Sequence, residues 1–279
     1  MLFRSSATQF SPIGPYAITA GLGSLAATNY SFTFFNGTLT VLAPTTGFVT
    51  TDSDGNLVVI GTNGNDCGSG SCGEGGIVIN SSNTGSVSVS INGSSAGSFY
   101  VNPVTQRVIV YTLDGDDCIV MNGSAILEAH GGNNNDDITG GSGNDVLSGD
   151  NGNDTITGAS GHDVIVGGDG ADRLVGSSGN DILIAGDFVG ASYADLRALM
   201  NAWLAEVGNG DSTNVDTADS LANTVDLATG NDGDVDKLTG SSGADLFIIS
   251  ASDQITDLKL KSLLDGATNS EGDVVQIIV

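Results

Sequence analysis

The chain has 279 residues, with 33 acidic side chains against 7 basic ones and a formal charge of −26. This charge excludes electrostatic binding of nucleic acid or of an anionic membrane, because both need clustered Lys and Arg. No apolar run reaches the roughly 18 residues of a membrane-spanning helix. Only four of the acidic residues are Glu. The rest are Asp, often beside Gly, which suits turns and sites for hard cations, Ca²⁺ first among them.

The first 45 residues contain two notable stretches, SPIGPYAIT at 11–19 and NYSFTFFNGTLTV at 29–41. Both resemble the closing strands of the MBG-type Ig-like repeats of large bacterial surface proteins. The resemblance implies that residues 1–45 are the C-terminal half of one such repeat. A signal peptide at 13–28 is disfavoured, because its basic region is Arg4 alone and the apolar run contains Pro15. We therefore expect the chain to be the C-terminal part of a longer protein.

The sequence of residues 55–130 predicts an irregular β segment. Asn92 and Gly93 form a hairpin signal, with alternating Ser and Val before them. Residues 61–67 (GTNGNDC) and 114–120 (DGDDCIV) are degenerate copies of the repeat that follows them. The predicted strands are 57–60, 77–79, 87–91, 98–101 and 107–111.

Residues 131–184 divide into six nonapeptides without an insertion: GGNNNDDIT, GGSGNDVLS, GDNGNDTIT, GASGHDVIV, GGDGADRLV and GSSGNDILI. Position four is Gly in five units and Asn134 in the first, and Asn tolerates a left-handed backbone better than most residues. Position six is always Asp, and position eight is always aliphatic. A flexible low-complexity linker would keep no fixed aliphatic position. The position-eight residues are Ile138, Leu147, Ile156, Ile165, Leu174 and Leu183.

This pattern resembles the RTX repeats, G-G-x-G-x-D-x-U-x with U a large apolar residue. The resemblance implies a right-handed parallel β-roll, in which two repeats form one coil and Ca²⁺ lies between turns stacked on the same side. Glycine allows carbonyl oxygens to approach a cation, and Asp supplies the charged oxygen that Ca²⁺ prefers. Six inward-pointing aliphatic residues are a small core for so many acids, so we expect Ca²⁺ binding to contribute folding free energy. The two predicted turn columns are Asp136, Asp154 and Asp172, and Asp145, Asp163 and Asp181.

Residues 185–230 interrupt the repeats, and apolar residues at helical spacing predict an amphipathic helix over 193–207. Ser192 and Asp195 resemble a capping box, and Gly208 is a stop signal. Even-numbered repeats have apolar, outward-pointing residues at position seven (Val146, Val164 and Ile182), whereas odd-numbered repeats have Asp137, Thr155 and Arg173. We expect the helix to cover the even face; the alternative is a helix that binds a partner. Its predicted apolar stripe is Leu196, Leu199, Met200, Trp203, Leu204 and Val207.

Residues 231–279 begin with a second, shorter match, NDGDVDKLT at 231–239 and GSSGADLFI at 240–248. The match predicts one further coil with Leu238 and Phe247 inside. If this coil stacks on the main roll, Asp236 follows Asp172 and Asp245 follows Asp181. An EF-hand is excluded here, because Lys237 stands where the loop needs Gly and Gly243 where it needs Glu. The candidate metal ligands are Asp136, Asp145, Asp154, Asp163, Asp172, Asp181, Asp236 and Asp245.

The sequence offers no convincing catalytic group, and we expect no enzymatic activity within these residues. His162 falls in a repeat turn, and His130 has no evident partner. Residues 93–97 match G-x-S-x-G but have β-strands on both sides rather than the strand–turn–helix that the motif needs. Among the cysteines, Cys67–Cys72 and Cys67–Cys118 are both feasible disulfides, and a zinc site is poorly supported.

These features predict an all-β protein: a right-handed parallel β-roll with one amphipathic helix inserted near its C-terminal end and a partial Ig-like segment at its N-terminus. We expect several bound Ca²⁺ ions, Ca²⁺-dependent folding, and a secreted or cell-surface bacterial protein with a structural or adhesive role and a cell-surface or matrix partner. The C-terminal end resembles loosely the secretion signal of RTX proteins. The alternative is the secretion and folding module of an extracellular hydrolase. The predicted segments are 1–45, 55–130, 131–184, 185–230 and 231–279.

Overall fold

The computed structural model describes residues 2–5, 14–21, 32–35, 38–41, 46–67, 75–188, 192–208, 229–230, 234–250, 252–256 and 274–277. The chain divides into two compact units, Met1–Gly47 and Phe48–Val279. The first unit contains one antiparallel sheet with the strand order β1-β2-β4-β3. This is the β segment that the sequence predicts for the N-terminus. Its strands are β1 (Leu2–Ser5), β2 (Gly14–Gly21), β3 (Phe32–Phe35) and β4 (Thr38–Val41).

The second unit contains the repeats, and its strands are short because each nine-residue repeat holds one turn and one strand. The strands up to the first nonapeptide are β5 (Phe48–Thr51), β6 (Leu57–Ile60), β7 (Ile77–Ser81), β8 (Ser86–Ile91), β9 (Ser94–Tyr100), β10 (Val108–Tyr111), β11 (Cys118–Asn122), β12 (Leu127–Asn133) and β13 (Asp137–Thr139). The later elements are β14 (Val146–Asn151), β15 (Thr155–Ser160), β16 (Val164–Asp169), β17 (Arg173–Ser178), β18 (Ile182–Ile184), β19 (Asp187–Phe188), α1 (Tyr193–Gly208), β20 (Thr229–Gly230), β21 (Lys237–Ser242), β22 (Leu246–Ile249), β23 (Gln254–Ile255) and β24 (Val274–Ile277).

Two nine-stranded sheets are built from strands that alternate between them along the chain. The first sheet has the order β24-β22-β18-β16-β14-β12-β10-β6-β5, and the second has β23-β21-β17-β15-β13-β11-β7-β8-β9. Neighbouring strands are parallel except at the N-terminal edge, where β5 pairs antiparallel with β6 and β7, β8 and β9 form an antiparallel meander. This is the parallel β-roll that the repeats predict, and β6, β7, β10 and β11 from the irregular segment belong to the same two sheets.

The core lies between the two sheets and is made by position eight of each repeat. In the six nonapeptides and in the tail coil, all eight of these side chains are fully buried in one apolar cluster. The sequence prediction for position eight is confirmed, because alternation along a strand directs this residue inward and its two neighbours outward. Upstream, Asn92 and Gly93 both have positive φ, 51° and 73°, in the two-residue loop that joins β8 to β9. The predicted hairpin is therefore present.

The helix α1 lies over the outer face of the first sheet. Val146, Val164 and Ile182, the apolar outward residues of the even-numbered repeats, pack in a second cluster with Leu199 and Trp203 of the helix. The start of the helix has the predicted capping box, in which Ser192 N–H donates to Asp195 Oδ2 at 2.8 Å and Asp195 N–H donates to Ser192 Oγ at 3.3 Å. The insertion that carries the helix leaves and re-enters the roll through the antiparallel pair β19–β20.

Truncating Trp203 to Ala should destabilise the roll by about 3–5 kcal/mol, the usual cost of removing a large buried aromatic side chain. Trp203 is buried in the second cluster, and its indole Nε1–H donates to the carbonyl oxygen of Ala244 at 3.1 Å. Urea unfolding at saturating Ca²⁺ measures the change. Asn201→Ala, at an exposed position of the same helix, is the matched control and should change stability by less than about 0.5 kcal/mol. Equal stabilities for the two variants would contradict the covering role of α1.

Candidate metal centre

The eight predicted aspartates stand in two columns, one on each side of the roll, and each of them is at most 3% exposed. Within a column, Oδ1 of each Asp accepts the main-chain N–H of the Asp one coil earlier, except that Oδ1 of Asp145, the first of its column, accepts the N–H of Leu127. Asp145 N–H donates to Asp163 at 2.8 Å, and Asp163 N–H donates to Asp181 at 3.0 Å. The tail coil continues both columns as the repeat register predicts. Its contacts are Asp172 N–H to Asp236 Oδ1 (2.6 Å) and Asp181 N–H to Asp245 Oδ1 (2.9 Å).

The second carboxylate oxygen is the one available to a cation. Oδ2 of Asp136, Asp154, Asp163 and Asp181 is buried and has no hydrogen-bond partner among the residues that the structure describes. Asp145 differs, since its Oδ2 accepts the main-chain N–H of Gly141 at 3.0 Å. A buried, unpartnered carboxylate oxygen is costly in a folded protein. Its repetition along both columns indicates a ligand that satisfies it.

Each position-one glycine leaves a small space beside this oxygen. A Cβ at Gly140 would lie 2.7 Å from Oδ2 of Asp145 and 2.5 Å from the carbonyl oxygen of Gly158 in the next coil. The space is therefore bounded by a carboxylate oxygen and a main-chain carbonyl oxygen, which are the donors that Ca²⁺ prefers. The same two kinds of oxygen face the spaces at Gly131, Gly149, Gly158 and Gly167. The residues present thus fit Ca²⁺.

Burial controls the ionisation of these carboxyl groups. It raises the pKa of Asp163 to about 9, with repulsion from Asp145 adding to the effect. It also raises the pKa of Asp136 to about 8, of Asp154 and Asp181 to about 7, and of Asp145 to about 6. Without a cation, each group is therefore favoured in its neutral form below these pH values. A bound divalent cation would supply the compensating charge.

Comparisons with known proteins agree with this geometry. Residues 130–165 and 166–187 match the RTX calcium-binding nonapeptide repeat (4 copies), and residues 2–40 match the MBG domain (YGX type). The chain carries RTX calcium-binding repeats. Both resemblances noted in the sequence are thereby confirmed. A search of curated proteins and a search of solved structures found no match.

Three further aspartates extend the first RTX column beyond the eight predicted residues. Asp117 N–H donates to Asp136 Oδ1 at 2.8 Å, and Asp66 N–H donates to Asp117 Oδ1 at 2.5 Å. At the other end, Asp236 N–H donates to Asp253 Oδ1 at 3.1 Å. The upstream pair could have been found from the degenerate units at 61–67 and 114–120. In these units Asp66 and Asp117 stand at position six, and the cysteine that follows each of them stands at position seven.

Position five of the RTX repeat forms a second ladder that the sequence pattern does not reveal. His162 N–H donates to Asn144 Oδ1 at 3.0 Å, and Asn180 N–H donates to His162 Nδ1 at 2.9 Å. On the other side, Asn135 and Asn153 accept main-chain N–H groups in the same way. Position five looks variable in sequence, but the structure uses its side chain as a hydrogen-bond acceptor. His162 therefore has a structural place in the turn.

Position four is glycine in five of the six nonapeptides, for a different reason from position one. Gly161 has φ +131°, and a Cβ there would fall against the carbonyl oxygen of Gly143, which is main chain and cannot move aside. Gly161→Ala should therefore destabilise the roll by about 2 kcal/mol or more. Two residues earlier, Ala159 has φ +78°. Ala159→Gly should stabilise by up to about 1 kcal/mol. Urea unfolding of the two variants in Ca²⁺ checks both signs, and destabilisation by Ala159→Gly would contradict this account.

The remaining reactive side chains are held in structural contacts. His130 stacks on Tyr111 with 4.8 Å between ring centroids and lies 3.5 Å from Glu128 and 3.8 Å from Asp150. Burial opposes the charged imidazolium, but hydrogen bonds and attraction from the two carboxylates outweigh it and raise the pKa of His130 to about 9. Ser95, the central residue of the G-x-S-x-G match, lies within β9.

Cys67 and Cys118 form a disulfide with a Cα–Cα distance of 5.1 Å, which selects one of the two pairings that the sequence leaves open. Cys72 lies outside the described residues. No group of three or more His, Cys, Asp or Glu side chains close enough to hold a metal ion occurs in the part of the chain that the structure describes. The candidate centre therefore depends on main-chain carbonyl oxygens as well as carboxylates. Within the same described residues, no helix has the length and apolarity needed to cross a membrane.

Proposed function

We propose that this chain is a calcium-stabilised structural module of a secreted or cell-surface bacterial protein, in which several Ca²⁺ ions bind between stacked turns and allow the roll to fold. The observation that carries the proposal is the repeated pairing of a buried Asp Oδ2 with a carbonyl oxygen across a glycine space. Asp136, Asp145, Asp154, Asp163, Asp172, Asp181, Asp236 and Asp245 are the proposed ligands. The bound cation would supply positive charge at these buried carboxylates.

The charge of the chain explains why folding would depend on the cation. At −26 the chain repels itself, and its repeats place carboxyl groups in two close-packed columns. Extracellular calcium-binding modules have dissociation constants of about 10⁻⁴–10⁻³ M. Sites of this strength would fill outside the cell and stay largely empty in the cytosol, so the module would fold after export.

The role we propose is structural or adhesive rather than catalytic. The MBG match at residues 2–40 supports this, because it pairs the RTX repeats with an Ig-like segment. His162 and Ser95, the groups that sequence motifs would nominate, take part in turn and strand structure. A rigid roll joined to an Ig-like segment suits a surface protein that holds a cell-surface or matrix partner. Antibody labelling of intact cells, with and without protease treatment, tests the surface location; signal confined to the cytoplasm would contradict it.

Equilibrium dialysis of the full chain against Ca²⁺ tests the binding itself. We expect several ions per chain, half-saturation at about 10⁻⁴–10⁻³ M, and little competition from an equal concentration of Mg²⁺. Mg²⁺ is the appropriate control because it requires near-ideal octahedral geometry and gives up its water reluctantly. Fewer than two ions per chain at 10 mM Ca²⁺, or equal binding of Mg²⁺, would refute the proposal.

A further inference from the structure

One turn of the first column, upstream of the six nonapeptides, has no glycine at position one. The unit that contains Asp117 has Thr112 at position one. The main-chain N–H of Thr112 donates to the carbonyl oxygen of His130 at 3.2 Å, as Gly140 N–H donates to the carbonyl oxygen of Thr157 at 2.8 Å. These matching hydrogen bonds place Thr112 in the same structural position as the glycines of the regular repeats.

The side chain of Thr112 fills the space that glycine leaves open elsewhere. Its hydroxyl donates to the carbonyl oxygen of Gly131, and it also lies 3.2 Å from the carbonyl oxygen of His130. Gly131 is the position-one residue of the next coil, so its carbonyl oxygen corresponds to those of Gly149 and Gly158, which bound the regular glycine spaces. Thr112 is fully buried. A neutral hydroxyl therefore occupies the place where the regular turns present two oxygens to a cation.

The carboxylate of this turn is retained. Asp117 is 1% exposed, and the Thr112 hydroxyl is close enough to hydrogen bond to its carboxyl group. The turn thus has the charged oxygen and the carbonyl oxygen of a regular site, and only the open space is missing. The turn therefore differs from a regular site only by the side chain of Thr112.

We propose that Thr112 closes this turn to Ca²⁺. The inference rests on the proposed calcium binding of the repeats. The two coils before Gly131 are held together by other means. The Cys67–Cys118 disulfide joins them, and Asp66 at the end of the column accepts hydrogen bonds from Thr62 Oγ1 (2.8 Å) and Asn92 Nδ2 (2.6 Å).

Calcium stoichiometry of single variants of the full chain tests the proposal, measured by equilibrium dialysis at saturating Ca²⁺. Asp117→Asn should leave the number of bound ions unchanged, whereas the matched change Asp154→Asn in the same column should lower it by about one. Thr112→Gly should raise it by one, because it opens the space between Asp117 Oδ2 and the Gly131 carbonyl oxygen. Thr112→Ser, which keeps the hydroxyl, should give no gain.

The double variant Thr112→Gly with Asp117→Asn should lose the added ion, which separates a new site from a general change in the roll. A lost ion in Asp117→Asn would overturn the proposal, and so would an unchanged count in Thr112→Gly with a wild-type circular dichroism spectrum. If Thr112→Gly does not fold, Asp117→Asn decides alone. A wild-type chain that binds no Ca²⁺ would refute the proposed function and this inference together, an outcome that the wild-type measurement identifies before any variant is compared.

Discussion

Replacing Asp163 by Asn is expected to stabilise the roll in the absence of Ca²⁺ and to lose most or all of that gain when Ca²⁺ is present. The Asn Oδ1 can still accept the Asp145 N–H, while its NH₂ group takes the place of the unpartnered Oδ2. That NH₂ group would face the same glycine space as the carbonyl oxygen of Gly176, to which it can donate. In calcium-free buffer at pH 8 the variant should be more stable by about 1–3 kcal/mol, because a buried, poorly paired carboxyl group is removed.

In 10 mM Ca²⁺ this gain should shrink, because the variant also loses the free energy of one bound ion. If Asp163→Asn removes one site with a dissociation constant of about 10⁻⁴–10⁻³ M, the loss of binding free energy is about 1.4–2.7 kcal/mol. Far-UV circular dichroism measures the folded fraction in calcium-free buffer, and urea unfolding measures stability in 10 mM Ca²⁺. Asp169→Asn is the control, because it makes the same chemical change at an exposed residue outside the columns. Destabilisation of Asp163→Asn in both buffers by equal amounts would show that its carboxylate serves the fold and not a cation.

The stability of the calcium-free roll should fall as pH rises, opposite to the usual behaviour of a protein with acidic side chains. Burial raises the pKa of five column carboxyl groups from the unfolded value of 3.8 to between about 6 and about 9. The folded state therefore binds more protons than the unfolded state between these limits. The stabilisation is fully present below about pH 4 and is lost as pH rises through the folded pKa values.

Far-UV circular dichroism between pH 5 and pH 9, in buffers freed of Ca²⁺ by chelating resin, measures this dependence. The β signal should be highest at pH 5 and lowest at pH 9. At saturating Ca²⁺ the trend should weaken or reverse, because protons and cations compete for the same oxygens. A calcium-free β signal that rises with pH would mean that these carboxyl groups are stabilised in their charged form by the protein alone.

The regular part of the roll could be predicted because each key position of the repeat keeps one type of residue with one physical role. Asp at position six and an aliphatic residue at position eight recur every nine residues, and two such units make a coil whose strands alternate between the sheets. The columns therefore follow from the register alone, including the step from Asp181 to Asp245 across the inserted helix. The position of α1 also follows, because only the even-numbered repeats present apolar residues such as Val146 and Val164 outside.

The irregular features could not be predicted from this period. Asp117 and Asp136 are 19 residues apart and Asp66 and Asp117 are 51 apart, so these contacts fall outside an 18-residue coil. The hydrogen-bond ladder at position five could not be predicted, because two different residue types, Asn and His, both serve as the acceptor there. The role of Thr112 is visible only when its register with the position-one glycines is known.

The central claim is that Ca²⁺ binding and folding of the roll are one event, and far-UV circular dichroism of the full chain during a CaCl₂ titration at pH 8 tests it most directly. Mg²⁺ serves as the control and EGTA as the reversal. We expect a cooperative gain of β signal that is specific to Ca²⁺, complete by about 10 mM and lost again in EGTA. A spectrum that is already β-rich in EGTA and does not change with Ca²⁺ would contradict the claim, and the aliphatic core alone would then account for the fold.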